Sequence, residues 1–229
     1  MKRYFIGIMI LLLGVVSLLP AVTAIESTPL KDAEFTYARI RYHMTPDAIF
    51  VREVPWHHDY PFGDEQFPTV VKEVSRVHTE SAAYQIVDID SPELFKYPFA
   101  YLCEPGYLEL NEKDTRNFRE YLERGGFVMI DDFRGPRHLN HLVVQLKKVF
   151  PNRNIVPLYV EHPMFNSFYK IESLDMRAPY GPGPVEFLGM EDDHGRLMMV
   201  IDYNNDLSEF WEWLDRGELP DVRHDALTS

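Results

Sequence analysis

The segment Glu123–Phe133 constrains the fold more than any other part of the sequence. A helix is predicted to end at the Gly125–Gly126 pair, because glycine readily adopts the left-handed conformation that closes helices. A short apolar strand, Phe127–Ile130, follows, and Asp131 and Asp132 come directly after it. Ligands of open α/β sheets bind outside the carboxyl ends of the parallel strands. The segment therefore predicts an α/β fold with a functional site near the two aspartates.

Strand-like and helix-like segments alternate along the rest of the chain, which predicts a mostly parallel sheet of five to six strands with helices on both faces. The run Ser173–Gly195 is rich in proline and glycine and is predicted to be irregular. If the strand order is flavodoxin-like, the crevice lies between the first and third strands. The other predicted strands are Phe35–Tyr42, Tyr84–Asp88, Phe99–Cys103, Ile155–Leu158 and Leu197–Asp202.

The first 24 residues have the pattern of a signal peptide. A basic start at Lys2 and Arg3 precedes the apolar stretch Ile6–Leu19, and small residues precede a cleavage point after Ala24. An uncleaved N-terminal membrane anchor is the alternative, because such apolar stretches grade into membrane spans. We expect export to the periplasm or secretion in either case. Residues 25–33 are predicted to be a linker, 34–214 a single α/β domain, and 215–229 a C-terminal tail.

The charge balance restricts the partners. The chain has 36 acidic and 23 basic residues and a formal net charge of −13. This excess of negative charge disfavours nucleic acids and anionic membrane surfaces. Because Cys103 is the single cysteine, no intramolecular disulfide can form.

Asp131 and Asp132 are the leading candidates for catalysis or for metal binding. Paired carboxylates can hold a divalent cation, or divide into an acid and a base. The alternative is structural: one aspartate caps the turn before the next helix and the other pairs with Arg134 or Arg137. His162, after the fifth strand, is a further candidate for a base or ligand, or else a turn residue with a satisfied backbone bond.

The remaining histidines and the cysteine give weaker signals. The run His57–Asp59 offers zinc-ligating groups, but adjacent residues seldom reach one metal ion from regular structure. His138 and His141 are three residues apart and could share one helix face. A solvated helix face explains this spacing as well. Cys103 is expected to be a small buried hydrophobe rather than a nucleophile.

Residues that follow other strands are expected to line the same crevice, since the carboxyl ends of parallel strands meet at one edge. Asp206 is also a plausible cap of the last helix. Trp211 and Trp213 should face different sides of that helix, one packed on the sheet and one open to a partner. The expected companions of Asp131, Asp132 and His162 are Arg41, Tyr42, Glu104, Asn205 and Asp206.

A set of short motifs in a fixed order resembles one bacterial family over about Phe35 to Leu214. The motifs are Arg39–Tyr42, Pro92–Phe99, Arg119–Phe127, Asp131–Asp132, His162–Phe165, Ser167–Tyr169 and Tyr203–Leu207. The set resembles the domain-of-unknown-function family numbered 4159, which implies a class I glutamine-amidotransferase-like, flavodoxin-type fold and no established activity.

The sequence departs from the pattern of the resembled proteins in places that matter for catalysis. Members often have a glycine-rich turn where His43–Pro46 stands, and a Gly-His-Gly-like turn where Cys103–Gly106 stands, which removes a possible catalytic histidine. Amidotransferases carry a cysteine nucleophile at the strand-to-helix turn. The corresponding segment Asp131–Phe133 has neither cysteine nor serine, so acyl transfer lacks its central residue.

Two functions of different class are consistent with these observations. The first is a non-catalytic envelope module that binds a glycan, a peptide or a protein in the crevice, with no cofactor. The second is a carboxylate-based or metal-assisted hydrolase that uses Asp131, Asp132 and His162, with a divalent cation as its cofactor. We expect the membrane to be involved only through a retained signal segment.

Overall fold

The protein is described by a computed structural model over residues 33–79, 83–176 and 183–212. The predicted signal peptide, most of the linker, Trp213 and the predicted tail lie outside these described residues. Within them there is no helix with the length and apolar composition needed to cross a bilayer.

The described residues form a mixed α/β structure around one seven-stranded sheet. The helices are α1 (Phe62–Val74), α2 (Glu112–Glu123), α3 (Gly135–Val149) and α4 (Ser208–Glu212). The strands are β1 (Tyr37–Arg41), β2 (Tyr84–Asp88), β3 (Phe99–Cys103), β4 (Phe127–Phe133), β5 (Val156–Pro157), β6 (Glu186–Glu191) and β7 (Leu197–Tyr203).

The sheet is mostly parallel, with the strand order β2-β1-β3-β4-β7-β6-β5. Strands β1 to β4 and β7 run parallel, whereas β6 is antiparallel to both of its neighbours. The carboxyl ends of the five parallel strands therefore meet at one edge, as the alternating pattern predicted.

The sequence analysis missed β6, and the sheet has seven strands instead of the expected five or six. Its apolar residues, Phe187–Met190, are buried, but they follow directly on a proline- and glycine-rich run. The turn Asp192–Gly195 joins β6 to β7, where the Asp192 carboxylate accepts hydrogen bonds from the backbone N–H groups of His194 and Arg196. Strand β6 thus lies inside the run Ser173–Gly195 that was predicted to be irregular.

Helices cover both faces of the sheet. Helices α2 and α3 pack on one face through side chains such as Phe118 and Leu142, and α1 and α4 pack on the other through Val70 and Trp211. The α2 helix begins at a capping box, in which Asn111 and Asp114 exchange side chain to backbone hydrogen bonds. The two apolar layers hold the strand ends in fixed positions and thereby define the crevice.

Candidate functional site

A β-bulge in β4 brings two successive carboxylates to the crevice. Ile130 pairs with Ile201 and Phe133 pairs with Tyr203, so Asp131 and Asp132 together oppose the single residue Asp202. Asp132 has a φ of 53°, in the left-handed region. Bulges re-aim side chains beside functional sites. The bulge therefore removes the alternation that would send one of the two aspartates away from the crevice.

Asp131 connects the end of β4 to the start of α4. Its carboxylate is fully buried and accepts hydrogen bonds from the backbone N–H groups of Leu207 (3.1 Å) and Ser208 (3.0 Å), and from the hydroxyl of Tyr101 (3.2 Å). Burial raises the pKa of Asp131 to about 7. The sequence analysis offered a structural role for one of the two aspartates, as a cap of the turn before the next helix. Asp131 does have a structural role, but it holds the chain before α4 instead of capping the turn before α3.

Asp132 contacts a histidine from a distant loop. The Nδ1 atom of His58 lies 2.8 Å from the Asp132 carboxylate and 3.3 Å from that of Asp59. The hydrogen bond to Asp132, followed by that to Asp59, raises the pKa of His58 to about 11. His58 is therefore an imidazolium at neutral pH, and its Nδ1–H donates to Asp132.

Three aspartates from separate segments converge beside this histidine. One carboxylate oxygen each from Asp59, Asp132 and Asp206 lies within 4.8 Å of the other two, and a second such group consists of His58, Glu104 and Asp132. Asp132 belongs to both groups. The crevice thus has the composition of an oxygen-rich cation site.

Asp206 is the most deeply buried of the three aspartates. Its Oδ1 atom accepts hydrogen bonds from the Ser208 hydroxyl (2.9 Å) and from the backbone N–H of Glu209 (3.1 Å), so it caps α4 as expected. Its Oδ2 atom is buried without a hydrogen-bond partner among the described residues. Burial, then the charges of Asp132 and Asp131, raise the pKa of Asp206 well above its usual range.

Every non-glycine residue with positive φ in the described part of the chain lies near this edge. Their φ values lie between 47° and 62°. The four residues are Asp59, Glu104, Asp132 and Asn204. A non-glycine residue in the left-handed region costs of order 1–2 kcal/mol, and such residues cluster at functional sites. Glu104 and Asn204 directly follow β3 and β7, where the backbone must turn sharply.

Glu104 stands at the sharp turn after β3. Burial, followed by the charge of Asp132, raises the pKa of its side chain to about 7. Its backbone oxygen accepts a 2.7 Å hydrogen bond from the buried hydroxyl of Tyr42. Glu104 is thus a crevice residue, as expected, whereas Tyr42 supports the crevice from within the core.

Arg41, expected at the same site, instead contacts the end of β2. Its guanidinium forms a two-point ion pair with Asp88, with distances of 2.5 and 2.8 Å, and lies over the ring of Trp56. These side chains line a groove of about 380 Å³ together with Tyr42, His43, Ile89 and Asp90.

The expected grouping of His162 with the two aspartates is wrong. His162 Nδ1 accepts a hydrogen bond from the Met164 N–H, and Nε2 lies 3.5 Å from the Glu191 carboxylate. Glu191 pairs with Leu197, the first residue of β7, whereas Asp131 lies beside the last residues of that strand. Five residues of strand separate the two positions by about 16 Å. His162 is the turn residue that the alternative described.

The loop that carries His58 and Asp59 is held by a buried arginine that the sequence analysis did not single out. Arg39 donates from Nε and one terminal nitrogen to both oxygens of Asp64, and from the other to the backbone oxygen of His58 (3.0 Å). Arg39 and Asp64 are fully buried. The sequence feature that could have pointed to this role is an arginine in the middle of a buried strand.

The other candidates have structural surroundings. His57 packs against Tyr60, and Arg137 pairs with Asp47 instead of an aspartate of the bulge. His138 lies against Tyr107, and His141 contacts the Leu108 carbonyl. Asn204 contacts the backbone of Gly135 and Pro184, while the buried amide of Asn205 has no partner in the described residues.

Two further side chains belong to the core beneath the crevice. The Cys103 thiol lies against Arg39 and the Pro55 carbonyl, and burial raises its pKa well above the usual range, which disfavours the reactive thiolate. Trp211 is buried and packs on Phe67, as expected for one of the two tryptophans.

Comparison with known proteins gives a family match. The family model described as "Domain of unknown function (DUF4159)" matches residues 36–228, which includes every described residue of the crevice. A search of the curated proteins gave no match for this chain.

Proposed function

Because this chain belongs to the DUF4159 family, whose description names no activity, we propose a function from the crevice itself: the protein is an exported binding module whose acidic crevice binds a positively charged ligand. The proposal joins the signal-peptide pattern of residues 1–24 with the chemistry at the carboxyl edge of the sheet.

The observation that carries this proposal is the uncompensated negative charge in the crevice. Five carboxyl groups outnumber the cationic side chains beside them in the described residues: His58 is bonded to Asp132 and Arg134 acts on Glu104, while the nearby Arg39 is bound to Asp64. Burying unpaired carboxylates costs several kcal/mol each in effective terms, and a bound cation offsets that cost. The five carboxyl groups are those of Asp59, Glu104, Asp131, Asp132 and Asp206.

We further infer that the fold is of the flavodoxin type, as in class I glutamine amidotransferases. The five parallel strands stand in the order β2-β1-β3-β4-β7, which corresponds to the flavodoxin order 2-1-3-4-5. In that arrangement ligands bind at the carboxyl edge where the chain reverses its direction across the sheet. Glu104 follows β3 at this point, which supports the crevice as the binding site.

Partners that fit are glycans, peptides or envelope proteins that carry an amine. A matched pair of probes tests the role of charge: an oligomer of glucosamine against the same oligomer of N-acetylglucosamine, and a lysine peptide against its acetylated form. Isothermal titration should detect binding of the amine-bearing member of each pair and no binding of its acetylated partner. The binding should weaken as the salt concentration rises. Equal binding of both members, or binding of neither amine together with no cation binding of any kind, would contradict the proposal.

A second candidate function is carboxylate-based hydrolysis, favoured by the raised pKa of Glu104. A carboxyl group with a pKa of about 7, close to the Asp132 side chain that contacts His58, suits a general acid. Asp131, Asp132 and Glu104, without the distant His162, would then form the catalytic set. A panel of nitrophenyl glycosides and esters tests it: hydrolysis lost in Glu104→Gln supports this candidate, and equal rates in the variant contradict it.

A further inference from the structure

We infer that the ligand of the acidic crevice is one hard divalent cation, Mg²⁺, Mn²⁺ or Ca²⁺, held by carboxylate oxygens of Asp59, Asp132 and Asp206. This inference rests on the proposed function, because it names the class of positively charged ligand that the crevice takes.

The spacing of the three carboxylates fits a single ion. One oxygen of each lies within 4.8 Å of the others. Oxygen ligands bind these cations at about 2.0–2.6 Å, so two ligands of one ion are at most about 4–5 Å apart. The three segments that supply the oxygens are the loop before α1, the bulge in β4 and the chain before α4, and each is fixed by contacts of its own.

An independent observation points to a missing ligand at this place. Asp206 is 1% exposed, and its Oδ2 atom has no hydrogen-bond partner among the described residues. Buried polar atoms are almost always satisfied, and an exception in a native structure is explained by an ion or a water molecule. A cation bound between the three carboxylates would satisfy this oxygen.

The surrounding donors hold the carboxylates in the arrangement that a cation needs. The Ser208 hydroxyl lies 2.8 Å from Asp59 Oδ2 and 2.9 Å from Asp206 Oδ1, and His58 Nδ1 donates to Asp132 Oδ2. Asp132 and Asp206 thus each have one oxygen engaged by a neighbour, whereas both oxygens of Asp59 have a neighbour: Oδ2 the Ser208 hydroxyl, and Oδ1 the Nδ1 atom of His58 at 3.3 Å. Such outer contacts orient ligands in metal sites.

The choice of cation class follows from the ligand atoms and the charge. Carboxylate oxygens suit Mg²⁺, Ca²⁺ and Mn²⁺, whereas zinc and copper sites favour imidazole and thiolate. His58 is engaged as a donor to Asp132, so it acts here as a positioning residue. Three side-chain carboxyl groups within 4.8 Å of one another attract a divalent cation more strongly than a monovalent one.

The test is titration of chelator-treated protein with Mg²⁺, Mn²⁺ and Ca²⁺ separately, by calorimetry and by the spin-resonance signal of free Mn²⁺. We expect saturable binding of one ion per chain. Asp206→Asn keeps the size of the side chain and its capping oxygen, and it should weaken binding at least about tenfold, the scale of losses at the outer contacts of metal sites. Asp59→Asn, a change in the loop before α1, should act in the same way.

Asp202→Asn is the matched control. Asp202 is also buried, and both of its carboxylate oxygens lack partners among the described residues, but it is not one of the three proposed ligands. Its substitution should leave the affinity for the cation within about twofold. A thermal unfolding curve for each variant shows whether it is folded, and affinity is compared only among folded variants, with Asp59→Asn replacing Asp206→Asn if the latter does not fold.

The outcomes separate this inference from the proposed function. Absence of binding by all three ions, or equal weakening by Asp202→Asn and Asp206→Asn, overturns the metal site. If the ions fail and the amine probes bind, the metal inference is wrong and the binding module stands. If neither the ions nor the amines bind, both are wrong.

Discussion

Two buried charged regions lie on the same side of the sheet, and they differ in how their charges are compensated. Arg39 and Asp64 face each other with both carboxylate oxygens bonded to guanidinium nitrogens. At the carboxyl edge, the buried Oδ2 atom of Asp206 has no hydrogen-bond partner within the described segments. The first region is complete as it stands, whereas we propose that a positively charged ligand completes the second.

The two regions are connected through one loop. Arg39 also donates to the backbone oxygens of Trp56 and His58, and the side chain of His58 then reaches Asp132. A compensated pair thus positions part of an uncompensated site. Unpaired buried carboxyl groups are costly, and on our proposal a bound cation offsets that cost at the carboxyl edge.

The largest effect should come from breaking the compensated pair. Arg39→Met leaves the Asp64 carboxylate buried without its partner, and removing one member of a buried pair costs about 3–5 kcal/mol of the free energy of unfolding. Urea unfolding measures this. The double variant Arg39→Met/Asp64→Leu should recover much of the loss, since it leaves no buried charge. A double variant as unstable as Arg39→Met would show that the pair does not act as a unit.

A change of pH should have a smaller effect on the free energy of unfolding, and this effect should arise from carboxyl groups in the uncompensated region. The pKa values of Asp131 and Glu104 are raised to about 7, whereas carboxyl groups in the unfolded chain titrate near pH 4. The folded state therefore binds more protons between these values, and stability falls as pH rises from about 4 to 7. We expect a loss of about 2 kcal/mol between pH 6 and pH 7 in cation-free buffer, about 1 kcal/mol from each group.

Urea unfolding at several pH values checks this dependence. The slope should flatten in Glu104→Gln, because a group that does not titrate adds no pH dependence. A stability that rises over the same interval would contradict the assigned direction of the two pKa shifts.

A third effect, of about 1 kcal/mol and of opposite sign, should come from backbone strain at the site. Glu104 has a φ of 47°, and glycine adopts this conformation without steric cost. Glu104→Gly should therefore raise the free energy of unfolding by about 1 kcal/mol. Asn204→Gly is the control: it relieves a similar φ, but it loses the side-chain bonds to Gly135 and Pro184, so it should gain nothing. Destabilisation by Glu104→Gly would show that strain is not stored there.

The same contrast explains what the sequence could predict. Local patterns predicted the five parallel strands and β5, and with them the edge at which Glu104, Asp131, Asp132 and Asp206 meet, because strand ends can be read from hydrophobic runs. Contacts between distant segments could not be read. Arg39 and Asp64 are 25 residues apart, and His58 and Asp132 are 74 apart. Only the folded chain shows which charges have partners.

His162 and β6 show the second limit of the sequence. Strand β5 has only two residues, and the chain after it turns back through a hydrogen bond between the His162 N–H and the Tyr159 carbonyl. A residue that follows a strand in sequence therefore need not remain at the edge of the sheet. The proline- and glycine-rich run before β6 led to the prediction of irregular structure. The short apolar segment that follows it gains its strand conformation from pairing with β7.

The smallest effect should come from an exposed counterpart of the Arg39 pair. Arg41 and Asp88 also form a two-point ion pair, but about half of each side chain is exposed to solvent. Water screens such pairs, and their contribution is about 0–1 kcal/mol. Arg41→Met should therefore lower the free energy of unfolding by about 0.5 kcal/mol, and raised salt should reduce the difference from the wild type. The identical change at Arg39, two residues earlier on the same strand, should cost several times more and depend little on salt. Equal losses at both positions would mean that burial does not decide the cost of removing a charge in this sheet.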